Sequence, residues 1–92
     1  MAHSLSAKKR IRQNIKARER NKARRSQLRT SLRKCRDALL HREAQAAETA
    51  FQQACRLLDR NADRGLIHRN AAARQKSRLA RRLNAIKSEA SG

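Results

Sequence analysis

Residues 8–39 read KKRIRQNIKARERNKARRSQLRTSLRKCRDAL, and the change of pattern at Leu28 decides the fold. From Leu28 onward, Leu28, Leu32, Cys35 and Leu39 recur at intervals of four, three and four. That is the narrow apolar seam of a helix pressed on another helix. Before Leu28 the pattern is different. Lys8–Arg25 holds ten Lys or Arg against a single acid, Glu19, and only Ile11 and Ile15 offer comparable apolar bulk. On a wheel of about 100° per residue with Lys8 at zero, Arg12 falls at about 40°, Arg20 at about 120°, Arg10 at about 200°, Arg18 at about 280° and Lys22 at about 320°. Charge surrounds the axis, so this half has no face for a protein core. One continuous helix over about 6–41 is expected, with its second half packed and its first half projecting. Ser4 or Ser6 is the candidate N-cap.

Outward from this stretch, a second helix over about 44–64 is signalled by Ala44, Ala47, Phe51, Ala54 and Leu58, with Ala50, Cys55 and Leu57 widening its apolar side. Phe51, the sole aromatic, is the expected centre of the core. His41-Arg42-Glu43 contains neither Gly nor Pro, so the break before this helix is weak. An unbroken helix through residue 64 would leave both apolar seams in water, however, and the turn is therefore placed at 41–43. Gly65 suits the left-handed position just past a helix end, with Leu66 making the accompanying apolar contact. A third helix follows over about 68–87. Ala72, Leu79, Leu83 and Ile86 share one side of it, while Asn70, Arg74, Ser77, Arg78 and Arg81 cluster within about 100° on the other. Residues 88–92 are expected to fray.

Ninety-two residues allow one small domain. The large apolar side chains are ten Leu, four Ile, Phe51 and Met1, which makes a thin core. Val, Pro, Trp and Tyr are missing while Ala, Leu, Arg, Lys and Gln abound. The expected class is all-α, a three-helix bundle with an extended, projecting N-terminal helix. A net charge of +18 opposes compaction until a partner neutralises it. Its distribution is uneven: +12 over residues 1–40, zero over 41–64 and +6 over 65–92. The outer helices thus face the partner.

Several function classes fall away. The middle carboxylates, Glu43, Glu48, Asp59 and Asp63, are scattered, and His3, His41 and His68 stand apart from one another, without metal-ligand spacing. No Gly-rich phosphate loop is present, and a thin core leaves no room for a water-excluding pocket. Neither catalysis, a cofactor nor a small-molecule substrate is expected. Cys35 and Cys55 lack paired-thiol spacing and read as small buried thiols in a reducing cytosol. No apolar run approaches the roughly 20 residues of a membrane span. The basic N-terminus faintly resembles a transit peptide, but the pattern runs on into the body of the chain. A membrane-surface helix would need the broad apolar face that Lys8–Arg25 lacks.

Nucleic acid remains. Lys and Arg neutralise phosphates and release counterions without reading sequence, and the excess of Arg over Lys fits bidentate contacts. With Phe51 in the core no aromatic is left to stack on a splayed base, which disfavours single strands. No zipper or zinc finger accompanies the basic run. Charge on all sides fits a rod wedged among several backbones, as folded RNA provides. A DNA-compacting, histone-like protein is the alternative.

Three stretches then carry a family resemblance: Ser6-Ala-Lys-Lys-Arg-Ile-Arg, Arg20-Asn-Lys-Ala-Arg-Arg-Ser, and Gly65-Leu-Ile-His-Arg-Asn-Ala-Ala-Ala-Arg-Gln-Lys-Ser-Arg-Leu. Together they closely resemble the bacterial small-subunit ribosomal protein family S twenty, in order and spacing, from about residue 2 to residue 87. The resemblance implies a three-helix bundle that binds 16S ribosomal RNA directly early in subunit assembly, in the 5′ domain and against the long penultimate helix of the 3′ minor domain. It implies a cytoplasmic, ribosome-bound protein that is not a homo-oligomer. Lys8, Lys9, Arg10, Lys16, Lys22, Arg24 and Arg25 match the family's N-terminal basic motif. His68, Arg69, Asn70, Arg74, Lys76, Ser77 and Arg78 match its C-terminal one. The candidate RNA-binding set also takes Arg12, Arg18, Arg20 and Arg29 from the first helix and Arg81 from the third. One departure stands out: where the family often has Gly-Asp at the first turn, this chain has Arg42-Glu43. Without RNA, residues 1–25 are expected to be largely disordered.

Overall fold

A computed structural model describes residues 2–91, and the side chains of 5–89. Three helices follow one another: α1 (Ala2–Leu40), α2 (Ala44–Asp63) and α3 (Arg69–Ser91). Nothing in the first forty residues interrupts helical hydrogen bonding, so α1 starts ahead of the expected boundary. Ser4 and Ser6 lie inside it, not at its cap. The N-cap expectation is corrected accordingly.

The seam read from Leu28 is where α1 meets α2. Leu28, Leu32, Cys35 and Leu39 are all buried, and they pack with Ala47, Ala54, Leu57 and Leu58 of α2 and with Ala72, Leu79, Leu83 and Ile86 of α3. Phe51 is not at the centre. It is half-buried and packs against the cluster from its edge, while the most enclosed positions on α2 are Ala47, Ala54, Leu58 and Asn61. Ala47 and Ala54 let the helices approach closely, Leu58 fills the space between them, and the large ring is displaced to the rim.

Both connections use the same device. In the Schellman arrangement the two residues after a helix end donate back to its last carbonyls, and the first of them is left-handed. After α2, Gly65 (φ 74°) donates to the Ala62 carbonyl at 3.0 Å and Leu66 to that of Asn61 at 2.8 Å. After α1, Arg42 donates to Leu39 at 3.2 Å and Glu43 to Ala38 at 3.1 Å, and Arg42 takes φ 55°. Thus the first turn is made without glycine, at a conformational cost of about 1–2 kcal/mol. His41 helps close it: its Nδ1–H donates to the Asp37 carbonyl at 2.7 Å. At Gly65 an added Cβ would meet no atom within 4 Å. Gly65→Ala should therefore lower stability by about 1 kcal/mol through backbone strain alone, read as a lower urea midpoint with an unchanged m-value.

The tail expected to fray continues α3 as far as Ser91, with Gly92 outside the described residues. Side-chain pairing accounts for this extension. Lys87 Nζ meets Glu48 Oε1 at 2.8 Å, and Glu89 pairs with Arg42, so the end of α3 is tied to α2 and to the first turn. A third pair, Lys76 with Asp59 at 3.0 Å, ties α3 to α2 near the second turn.

From Leu5 to Arg20 every side chain of α1 but that of Ala17 is exposed. The molecule measures 73 × 21 × 13 Å, and its radius of gyration is 18.5 Å, against about 12 Å for a compact chain of this length. The free part of α1 accounts for the difference. Some 19 residues at 1.5 Å each give a rod of roughly 28 Å.

Candidate nucleic-acid interface

The exposed rod carries the first group of candidate residues. Lys8, Lys9, Arg10, Arg12, Lys16, Arg18, Arg20 and Lys22 are all exposed, as are Arg25 and Arg29 where α1 enters the bundle. Arg24 is half-buried there. Desolvation lowers its pKa below the usual arginine value, and the guanidiniums of Arg64 and Arg20 push in the same direction. Among the described residues no carboxylate ion-pairs with any of these three. Arg20 and Arg64 thus repel the Arg24 charge where the end of α2 lies beside α1. Arg64 was not among the residues singled out from sequence. Only the antiparallel register, which sets the C-terminus of α2 opposite Arg24, brings it into the cluster.

On α3 the candidates divide. Asn70, Arg74, Ser77, Arg78 and Arg81 lie exposed along the side away from the core, whereas Arg69, also exposed, is turned toward α2 and lines a groove with Asp59, Asp63 and Lys76. Ser77 Oγ accepts from Arg81 Nη2 at 3.5 Å, which holds that guanidinium over the stripe. Two residues have other duties. Lys76 is half-buried and bonded to both Asp59 carboxylate oxygens, and that hydrogen bond raises its pKa. Its charge is already compensated inside the fold. His68 serves as a cap: its Nδ1 accepts the Asn70 backbone N–H at 3.0 Å, satisfying one of the first free donors of α3.

A further basic strip lies between the two groups. Arg29, Arg33 and Arg36, spaced by four and three, line an open groove with Ser26, Thr30 and Leu32. Arg36 Nη2 also donates to Gln75 Oε1 of α3 at 3.2 Å. The four-three spacing of these arginines is present in the sequence, but it runs directly beside the buried Leu28–Leu39 seam and shares its period.

Among the described residues no group of His, Cys, Asp and Glu could hold a metal ion. Cys35 is buried and Cys55 half-buried; both are unpaired, and burial pushes both thiols up, away from the reactive thiolate. No described helix is long and apolar enough to cross a membrane.

Fold and surface together define a helical, strongly cationic scaffold. The family model described as ribosomal protein S20 matches residues 2–84. A small ribosomal subunit protein bS20 from Xylella fastidiosa strain 9a5c is 52% identical over 87 residues, covering 95% of this chain and 98% of that one. The bS20 of Xanthomonas oryzae pv. oryzae strain PXO99A is 53% identical over 87 residues, with the same coverage. That of Nitrosomonas eutropha is 45% identical over 86 residues, 94% of this chain and 99% of the relative. The chain belongs to the ribosomal protein S20 family.

Proposed function

We propose that this chain is a structural component of the small ribosomal subunit that binds 16S ribosomal RNA directly and holds its converging helices together during assembly. The observation that carries this reading is the rod: about 28 Å of helix with cations all round its axis and nearly every described side chain exposed. A lone duplex presents one groove or one backbone at a time. A rod charged all round is satisfied only where several backbones converge, as inside a folded RNA. Within that setting the bundle fixes the angle between the rod and the basic side of α3. Family membership supports contact with the 5′ domain and with the long penultimate helix of the 3′ minor domain, one group of basic residues to each. The protein acts in the cytoplasm on the ribosome, without catalysis, cofactor or self-association.

The rival reading, a DNA-compacting protein, draws on the same charge. A competition experiment separates them. Labelled 16S RNA fragments bound to the protein are challenged with unlabelled RNA, duplex DNA and anionic vesicles at one fixed salt concentration. The expected result is displacement by the RNA fragments at concentrations far below those needed of DNA or vesicles. Preference for duplex DNA would overturn the proposal.

A further inference from the structure

Phosphate contacts account for the cations of the rod but leave its other large side chains without a role. Leu5, Ile11 and Ile15 are 71%, 57% and 47% exposed, although an isolated helix in water gains nothing from them. They are not scattered. With Lys8 at zero, Ile11 lies at about 300°, Ile15 at about 340° and Leu5 at about 60°, one arc of about 120°. Leu5, Lys8, Ile11 and Arg12 line one shallow concavity on that side. Glu19, the single acid of the rod, falls in the same arc at about 20°. A row of phosphates would repel that carboxylate. Lower down α1, Arg29 and Arg33 fall at about 300° and 340°, so the basic groove they line continues the same side.

From this we infer that the Leu5–Ile11–Ile15 side of the rod seats in the minor groove of an RNA double helix, its aliphatic side chains against the riboses. The inference rests on the ribosomal-RNA reading above and adds which surface of the RNA this side meets. An A-form minor groove is wide and shallow and displays sugars and 2′-hydroxyls, with the phosphates at its margins. Aliphatic side chains fit such a floor. Lys8 and Arg12, interleaved with them, reach the phosphates at the rims. The carboxylate of Glu19 can accept from a 2′-hydroxyl there, which it could not do against a backbone. Charge argues against other occupants. Residues 1–18 hold six cations and no acid, so a second copy would be repelled.

The test uses the full-length chain and a 16S RNA fragment, with affinity measured at several salt concentrations. Ile11→Ser/Ile15→Ser removes the apolar surface and leaves helix propensity nearly unchanged. Both positions lie outside the bundle, so its thermal unfolding should match that of the parent protein. The expected result is a loss of about tenfold or more in affinity at every salt concentration, with the log–log salt slope unchanged. Ile11→Leu/Ile15→Leu should bind like the parent. Arg10→Gln, on the opposite side, should flatten the slope by about one. Parent-like binding by the serine variant would overturn the inference while leaving the RNA reading intact. So would a dimer of the parent protein, seen by sedimentation, that the serine variant abolishes. Failure of the parent protein itself to bind RNA would remove both.

Discussion

Raising monovalent salt from 50 to 200 mM should weaken binding to 16S RNA by a factor of about 10⁴ to 10⁵. The size follows from the number of cations free to meet phosphates. Lys76 and Lys87 are held by Asp59 and Glu48, and Arg42 is paired with Glu89. Most of the rod and the outer side of α3 remain exposed. About ten phosphate contacts correspond to a log–log slope of about −9 on duplex DNA values and about −7 with the single-strand coefficient. Salt acts on the free protein in the opposite direction, because screening relieves the self-repulsion of a +18 chain. The bundle alone should therefore become more resistant to urea over the same range. A flat binding response would contradict the electrostatic account.

The second large effect is a gain of helix on binding. The rod has the backbone of a helix but none of the packing that normally holds one. Lys8–Arg12, Arg12–Lys16, Lys16–Arg20, Arg18–Lys22 and Arg20–Arg24 each place like charges one turn apart, every such pair destabilising by about 0.2–0.5 kcal/mol. Only Glu19 offers relief. Without a polyanion, helix propagating backward from the packed seam at Leu28 should decay toward the N-terminus. Circular dichroism of the free protein should then show some 15–20 helical residues fewer than the RNA complex, at the roughly 1.5 Å per residue that makes up the rod. The geometry of the described rod is then the geometry it takes among phosphates.

Much of the fold could be read directly because a few residues were unambiguous. The four-three-four recurrence from Leu28 to Leu39 required a partner helix, and Gly65 sat where a left-handed residue was needed. The parts that could not be read arise from contacts distant in sequence. Arg42 adopts a left-handed backbone that no local rule assigns to arginine; closure of the hairpin imposes it. The end of α3 extends because Lys87 and Glu89 find partners about 40 or more positions away. Phe51 sits at the rim although its size suggests a central role, because Ala47, Ala54 and Leu58 occupy the axis. At the interface, the rod was legible from its composition. The structural duties of Lys76 and His68, and the gathering of Arg64 with Arg20 and Arg24, depend on register between helices.

Everything turns on the rod being built for RNA rather than for the protein's own core. Amide hydrogen exchange resolved over residues 5–20, in the free protein and on a 16S RNA fragment, tests this most directly. The expected result is near-random-coil exchange in the free protein and strong protection in the complex, with the Leu28–Leu39 seam protected in both. Full protection of residues 5–20 without RNA, or no gain of protection with it, would contradict the account.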